Sequence, residues 1–405
     1  MRQSVSIAAI SAGLLSAFVG IASSFAVIIE GLRAVGATQA EAASGLMALS
    51  IAMGVCGIAL SLRTRMPISI AWSTPGAALL ASSAQVEGGF AAAVGAFLVS
   101  GVLVVLAGFW KPLGRWVSAI PGPLANAMLA GVVLGLCLAP ARAVADEPAL
   151  GLAIVAVWAV VAKFRRLYAV PAAVLTALAL IAATYPVTRA ELGPLWPDPI
   201  LIAPSLSLPA VIGVALPLFL VTMASQNIPG MAVLNANGYR PEAGPLFRMT
   251  GAFSILAAPF GAHAVNLAAI TAALCAGPEA GPDPSRRWWA ALAAGCAFVV
   301  FGLFAGAATA FISAAPPILI QAVAGLALLG VLGSSILGAV GEPETREAAI
   351  ITFLVTASGL SFYGISGAFW GLVAGGVVLA WTRWRRSSSA VGPSAAAAPA
   401  RGEGR

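Results

Sequence analysis

Apolar residues fill this chain in long windows, separated by short clusters of charge, proline or glycine. Read from that punctuation, the windows predict fourteen segments: 5–29, 43–62, 68–84, 89–110, 117–139, 149–162, 168–185, 208–228, 245–260, 263–276, 287–308, 312–337, 348–362 and 365–383. Most are near the ~20 residues that cross a bilayer as a helix, and two are too short to do so. The fold class expected is therefore an all-α polytopic membrane protein. The polar stretch from Ser387 onward has no apolar period and reads as a disordered tail.

Composition agrees with the pattern. Of 405 residues, 60% are hydrophobic and only 9% charged, against about 25% charged in a soluble domain. After the spans are drawn, no length is left for a sizeable soluble domain. The N-terminal run resembles a signal peptide, but it stays apolar to about Ile29 and is better read as an anchored first span. Cys56, Cys137, Cys275 and Cys296 all lie in apolar stretches without a CxxC pair, so neither a disulfide framework nor a metal site is expected. No cofactor is expected either.

The net charge of +7 would point to nucleic acid in a soluble protein. Here it reports topology. Assigning loops alternately to the two sides puts 18 of the 21 Lys and Arg residues on one side, leaving Arg33, Arg142 and Arg189 on the other. Under the positive-inside rule both termini are cytoplasmic, and the partners are a lipid bilayer and a solute rather than nucleic acid.

The chain also repeats itself weakly. A shift of 202 residues lays Ala22-Ser23 on Ala224-Ser225, and Leu32, Ala34 and Gly36 on Leu234, Ala236 and Gly238. Seven segments per half is an odd number, so the halves would insert in opposite orientations, as in many secondary transporters. In each half the third segment, 68–84 or 263–276, opens with residues suited to extended backbone, Ile68–Trp72 or Ala262–Asn266. Each continues as an Ala/Leu run of two to three helical turns. Ser73-Thr74-Pro75 is a strong helix start, with a hydroxyl cap and a proline in the first turn. Segments 3 and 10 are thus expected to be a short strand plus a half-helix, their helix N-termini meeting mid-membrane.

Polar residues concentrate between Thr222 and Pro278. Gln226, Asn227, Asn266 and the only histidine, His263, sit in apolar sequence there, and Pro229-Gly230 reads as a backbone break. Such groups are costly in a membrane and mark pathways or sites. Two half-helix N-termini offset about one negative charge. Donors from Gln226, Asn227 and Asn266, with Ser73 and Thr74 at the helix start and an apolar slot from Trp72, Phe25 and Ile70, suit a small anion with an apolar body, such as an aromatic carboxylate. His263 and Glu30 are the proton-coupling candidates. Each has a plainer reading: Asn and Gln also serve as interhelical glue, Asn266 also caps a half-helix, and Trp72 and Phe25 also simply pack. A different class of function is suggested by Gly364-Ile365-Ser366-Gly367, which matches the GxSG of intramembrane proteases. Those enzymes need a histidine after the serine, and His263 precedes it.

At TMASQNIPGMAVLNANGYRP and FGAHAVNLAAITAAL the chain resembles the benzoate/proton symporter family, over nearly its whole length to about Arg386. More distantly it is similar to the uracil-permease and nucleobase–ascorbate transporter fold. That resemblance implies fourteen segments in two inverted seven-segment repeats, and a bacterial inner-membrane location. It divides the chain into a core (segments 1–4 and 8–11) and a gate (5–7 and 12–14). By residue, 1–140 holds core segments 1–4 and the start of the gate, 141–207 gate segments, 208–310 core, 311–386 gate and 387–405 the tail. Asn227 matches the position of a substrate-binding carboxylate in the distant family. Val265 and Ala268 depart from that family's tenth-segment signature and argue against a nucleobase. The expected partners are a small aromatic carboxylate and a proton, with a homodimer left open. A nucleobase or inorganic-anion carrier is the alternative.

Overall fold

The computed structural model describes residues 6–83, 86–110, 121–185, 196–269, 271–314, 316–363 and 365–390. The regular structure of these residues is helical except for two short antiparallel strand pairs. Seven described helices are long and apolar enough to cross a membrane. It is an all-α multi-span membrane protein.

In the first half, α1 (Ile7–Ala34) and α2 (Gln39–Thr64) are followed by β1 (Ile70–Trp72) and α3 (Thr74–Ser82). Then come α4 (Gly89–Phe109), α5 (Gly122–Cys137), α6 (Ala139–Asp146), α7 (Pro148–Phe164) and α8 (Arg166–Thr184). Helix α2 opens on a capping box, in which Thr38 and Glu41 each bond the other's backbone N–H. Helix α1 runs past the expected limit at Ile29, so Glu30 and Arg33 lie within it.

The second half begins with α9, Leu208–Ala236, and continues with α10 (Ala243–Ala257), β2 (Val265–Leu267) and α11 (Ala272–Ala276). It ends with α12 (Trp288–Leu303), α13 (Ala305–Ala314), α14 (Pro317–Val340), α15 (Arg346–Ala357), the strand pair β3 (Ser361–Phe362) and β4 (Ile365–Ser366), and α16 (Gly367–Ala390).

Strands β1 and β2 meet at the centre of the molecule. They pair antiparallel with Ile70 opposite Leu267, Ala71 opposite Asn266 and Trp72 opposite Val265. Two more backbone bonds extend the pairing, Ser73 N–H to Ala264 at 3.2 Å and Ala268 N–H to Ser69 at 2.9 Å. Non-helical backbone survives at membrane depth only when other protein satisfies it; here the strands satisfy each other's facing edges, while the outward N–H groups of β2 go to side chains, Val265 to Ser254 Oγ and Leu267 to Asn227 Oδ1, each at 2.9 Å. Around them, small residues let helices close in. Gly54 of α2 faces Gly295 of α12, and a Cβ on either would lie 2.5 or 2.7 Å from the other's carbonyl oxygen. Glycine is required on both sides of that crossing.

Several expectations need correction. Pro229-Gly230 does not break the helix, because α9 continues to Ala236. A π turn over Met223–Asn227 precedes the proline, with the Ile228 N–H bonded to the Met223 carbonyl. The wider turn makes room for a proline that lacks an N–H for the α-helical ladder. The second half-helix is shorter than two to three turns: α11 holds five residues, so the expected pair of facing helix dipoles reduces to that of α3. Asn266 lies in the middle of β2 and does not cap a helix. The polar tail is helical as far as Ala390; its remainder, the first residues of segment 117–139 and the Arg189 loop lie outside the described residues.

Candidate functional site

The start of α3 is built by its own sequence. Ser73 caps the helix, its hydroxyl oxygen accepting the Gly76 N–H at 3.1 Å, and Pro75 occupies the first turn. The same oxygen accepts the Thr222 hydroxyl of α9 at 2.9 Å, joining the two halves of the chain at this point. The Ser73 carbonyl accepts from His263 Nε2 at 3.0 Å. Since a carbonyl only accepts, Nε2 carries the proton and Nδ1 is the bare nitrogen. His263 is fully buried, with its ring edge-on to Phe97.

Directly beside this junction lies a cavity of about 60 Å³. Its walls come from α1 (Gly20, Ser23, Ser24), from Ala71, Trp72 and Thr74, from Gln226 of α9, from Ala268, Ala269 and Thr271, and from Phe298 of α12. No described lining residue is charged. The Trp72 indole N–H donates to Ser24 Oγ at 2.7 Å, and that hydroxyl donates to the Gly20 carbonyl at 2.8 Å. Trp72 is thereby held against α1, with Phe298 and Phe301 each 6.3 Å from its ring centre. The Gln226 side chain is only 7% exposed and makes no hydrogen bond to any described residue. Its amide carries two N–H donors without a described partner beside the cavity.

The sequence-predicted residues divide in two. Trp72, Thr74 and Gln226 line the cavity. Phe25 packs on Phe301, and Ile70 is buried against Gly57. Ser73 supports the helix start without lining the cavity. Asn227 turns away from it: its side-chain oxygen accepts the Leu267 N–H at 2.9 Å and its amide donates to Met223 Sδ at 3.2 Å. Asn266, opposite Ala71, bonds the Leu267 carbonyl through its amide nitrogen, while its oxygen is buried without a partner. Gly230 seats α9 on β2, since a Cβ there would lie 2.7 Å from Leu267 Cβ. Glu30 sits elsewhere on α1, accepting from Gln321 Nε2 of α14 at 2.8 Å. Ser23, Ser24, Thr271 and Phe298 were not foreseen. The signal for the serines was available, as adjacent hydroxyls in an otherwise apolar first span.

Ser366 is remote from histidine chemistry; its hydroxyl donates to the Gly213 carbonyl of α9 at 2.8 Å. Among the described residues no group of His, Cys, Asp and Glu side chains is arranged to hold a metal.

A helical bundle with two short strands paired at its centre and a small neutral cavity against them defines a membrane transporter. The backbone superposes on that of the murine solute carrier 26 member A9 anion transporter in its inward-facing state, with a TM-score of 0.61 and 12% identity, covering 96% of this chain and 69% of that one. It likewise matches the transmembrane domain of a cyanobacterial bicarbonate transporter, BicA, with a TM-score of 0.54 and 15% identity over 95% and 97% of the two chains. The chain belongs to the benzoate membrane transport protein (BenE) family, whose model matches residues 3–381. It is 42% identical over 368 residues to the inner membrane protein YdcO of Escherichia coli (strain K12), covering 90% of this chain and 93% of that one. It is 32% identical over 375 residues to the benzoate membrane transport protein of Acinetobacter baylyi (strain ATCC 33305 / BD413 / ADP1), with coverages of 93% and 95%. Membership of a transporter family disposes of the hydrolase reading of Ser366.

Proposed function

We propose that this protein is a proton-coupled carrier of benzoate or a closely related aromatic carboxylate in a bacterial inner membrane. The observation that carries the reading is the cavity beside β1 and β2, which joins free neutral donors to an aromatic wall. The carboxylate would take N–H bonds from Gln226 and O–H bonds from Thr74 and Thr271, near the positive end of the α3 dipole. The ring would lie against Trp72 and Phe298. Without a fixed cation in the lining, binding stays weak enough for release on the far side.

The cavity of about 60 Å³ is far below the ~300–1,000 Å³ typical of ligand pockets, so a ring enters only if the walls part. Alternating access supplies that movement: the core, segments 1–4 and 8–11, shifts against the gate, segments 5–7 and 12–14, in a plan of two inverted seven-segment repeats. Both termini face the cytoplasm in this reading. Glu30 is the proton carrier we favour over His263, because its bond to Gln321 links a core helix to a gate helix, whereas His263 is tied to the Ser73 backbone.

A second reading, an inorganic-anion carrier, is favoured by the small cavity and by the two solved anion transporters of similar fold. Thermal stabilisation of the purified protein by benzoate, substituted benzoates, uracil, sulfate and bicarbonate separates the two, since a ligand stabilises in proportion to its occupancy. Benzoate-class ligands should stabilise most. Stabilisation by sulfate or bicarbonate and none by benzoate would overturn the aromatic reading.

A further inference from the structure

A second cavity, of about 730 Å³, lies at the other end of α2 from its Thr38 cap, between the ends of α2, α4 and α10. It is unrelated to the cavity beside the strands. Arg63 of α2, Arg240 of the loop after α9 and Arg248 of α10 all line it, with Glu242 as the only carboxylate among the described lining residues. None of these three arginines is ion-paired or hydrogen-bonded to a described residue; Arg248 lies over the Phe109 ring, 4.6 Å from its centre. Leu60, Met66, Leu246 and Met249 form the rest of the wall.

Two features point to the kind of ligand. The site is cationic and apolar at once, which a soluble anion does not need and a lipid with an acidic headgroup does. Its rim is also apolar and exposed: Phe109 is 66% exposed, Trp110 50% and Leu106 44%, an aromatic band at the end of α4. Aromatic residues at helix ends lie at headgroup depth, so the guanidiniums beside them sit at the level of lipid phosphates. Basic pockets between membrane helices recognise anionic headgroups by this arrangement, and Arg is suited to it because its planar fork bonds two phosphate oxygens together.

We propose that this cavity binds one anionic phospholipid, with the phosphate on Arg63, Arg240 and Arg248 and an acyl chain along Leu60, Phe109 and Met249. The lipid would then bridge α2, α4 and α10.

Native mass spectrometry of the full-length protein in detergent, titrated with phosphatidylglycerol or phosphatidylcholine, tests this. The wild type should bind phosphatidylglycerol roughly tenfold or more tightly than phosphatidylcholine, because each basic residue near the headgroup adds to the attraction for an anionic lipid. Arg63→Gln/Arg240→Gln/Arg248→Gln should abolish that preference, and Arg240→Gln alone, a loop change that leaves every helix intact, should reduce it. Arg165→Gln, outside the cavity, should leave it unchanged. Equal binding of the two lipids by the wild type, or an undiminished preference in Arg240→Gln and in the triple variant if it folds, would overturn the proposal. Displacement of phosphatidylglycerol by millimolar inorganic phosphate would also overturn it, in favour of a soluble-anion site.

Discussion

Asn227 and Leu267 are joined by a hydrogen bond of 2.9 Å, from the strand's backbone N–H to the side-chain oxygen of a helix. This bond ties α9 to β2 at a residue buried on both sides. The nearby π turn and Gly230 bring the helix close enough to make it. Asn227 therefore holds β2 in place and does not line the cavity.

Removing that acceptor should cost stability. Asn227→Ala strands a buried N–H, a loss of about 1–3 kcal/mol, and should lower the melting temperature of the ligand-free protein. Asn227→Asp keeps an acceptor oxygen and should lose less, provided the buried carboxyl takes up a proton. An Asn227→Ala variant that melts with the wild type would show that the bond contributes nothing.

Gln226 should behave in the opposite way. It makes no bond to any described residue, so Gln226→Ala should leave the ligand-free melting temperature nearly unchanged. Benzoate affinity should fall by about 1.5–3 kcal/mol, the range for a hydrogen bond to a charged group, or roughly ten- to a hundredfold. Gln226→Glu should be worse, since it brings a like charge to the carboxylate. Unchanged affinity in both variants, measured by titration calorimetry, would remove Gln226 from the site.

Much of this architecture was legible in the residues. Apolar windows marked the long helices, and Ser73-Thr74-Pro75 announced the start of α3 because capping is a local affair. Which of two neighbouring amides faces the cavity was not legible. Gln226 and Asn227 are equally polar and adjacent, and a π turn shifts the facing of every later residue by an amount no 3.6-residue periodicity contains. Pro229-Gly230 misled for a related reason. A proline usually ends a helix, but the same π turn absorbs it, and Gly230 serves close packing on Leu267 instead. The length of α11 was hidden because an Ala/Leu run looks the same whether it makes one turn or three.

Gly230 offers a test in which two effects oppose each other. Alanine is favoured over glycine in a helix interior by roughly 1 kcal/mol. At this position, though, a Cβ would lie 2.7 Å from Leu267 Cβ and 2.8 Å from the Ala268 carbonyl oxygen, and overpacking costs about 1–3 kcal/mol. Packing should win, so Gly230→Ala should melt lower and bind benzoate more weakly as β2 is displaced. A melting temperature above that of the wild type would mean that α9 and β2 are less closely fitted than described.

The last prediction concerns Glu30. Its carboxyl oxygen accepts from Gln321 at 2.8 Å, about 9 Å along α1 from Ser24 at a 1.5 Å rise per residue. A hydrogen bond to an ionised carboxylate is roughly twice as strong as a neutral one, so protonation would loosen the link between α1 and α14. If that link couples proton uptake to movement, Glu30→Gln should still bind benzoate and exchange it across proteoliposomes. It should fail to accumulate benzoate when an inward proton gradient is imposed. Gln321→Ala lacks the partner but keeps the carboxyl, so it should still accumulate benzoate. Gradient-driven accumulation in Glu30→Gln equal to that of the wild type would rule Glu30 out as the proton carrier and return attention to His263.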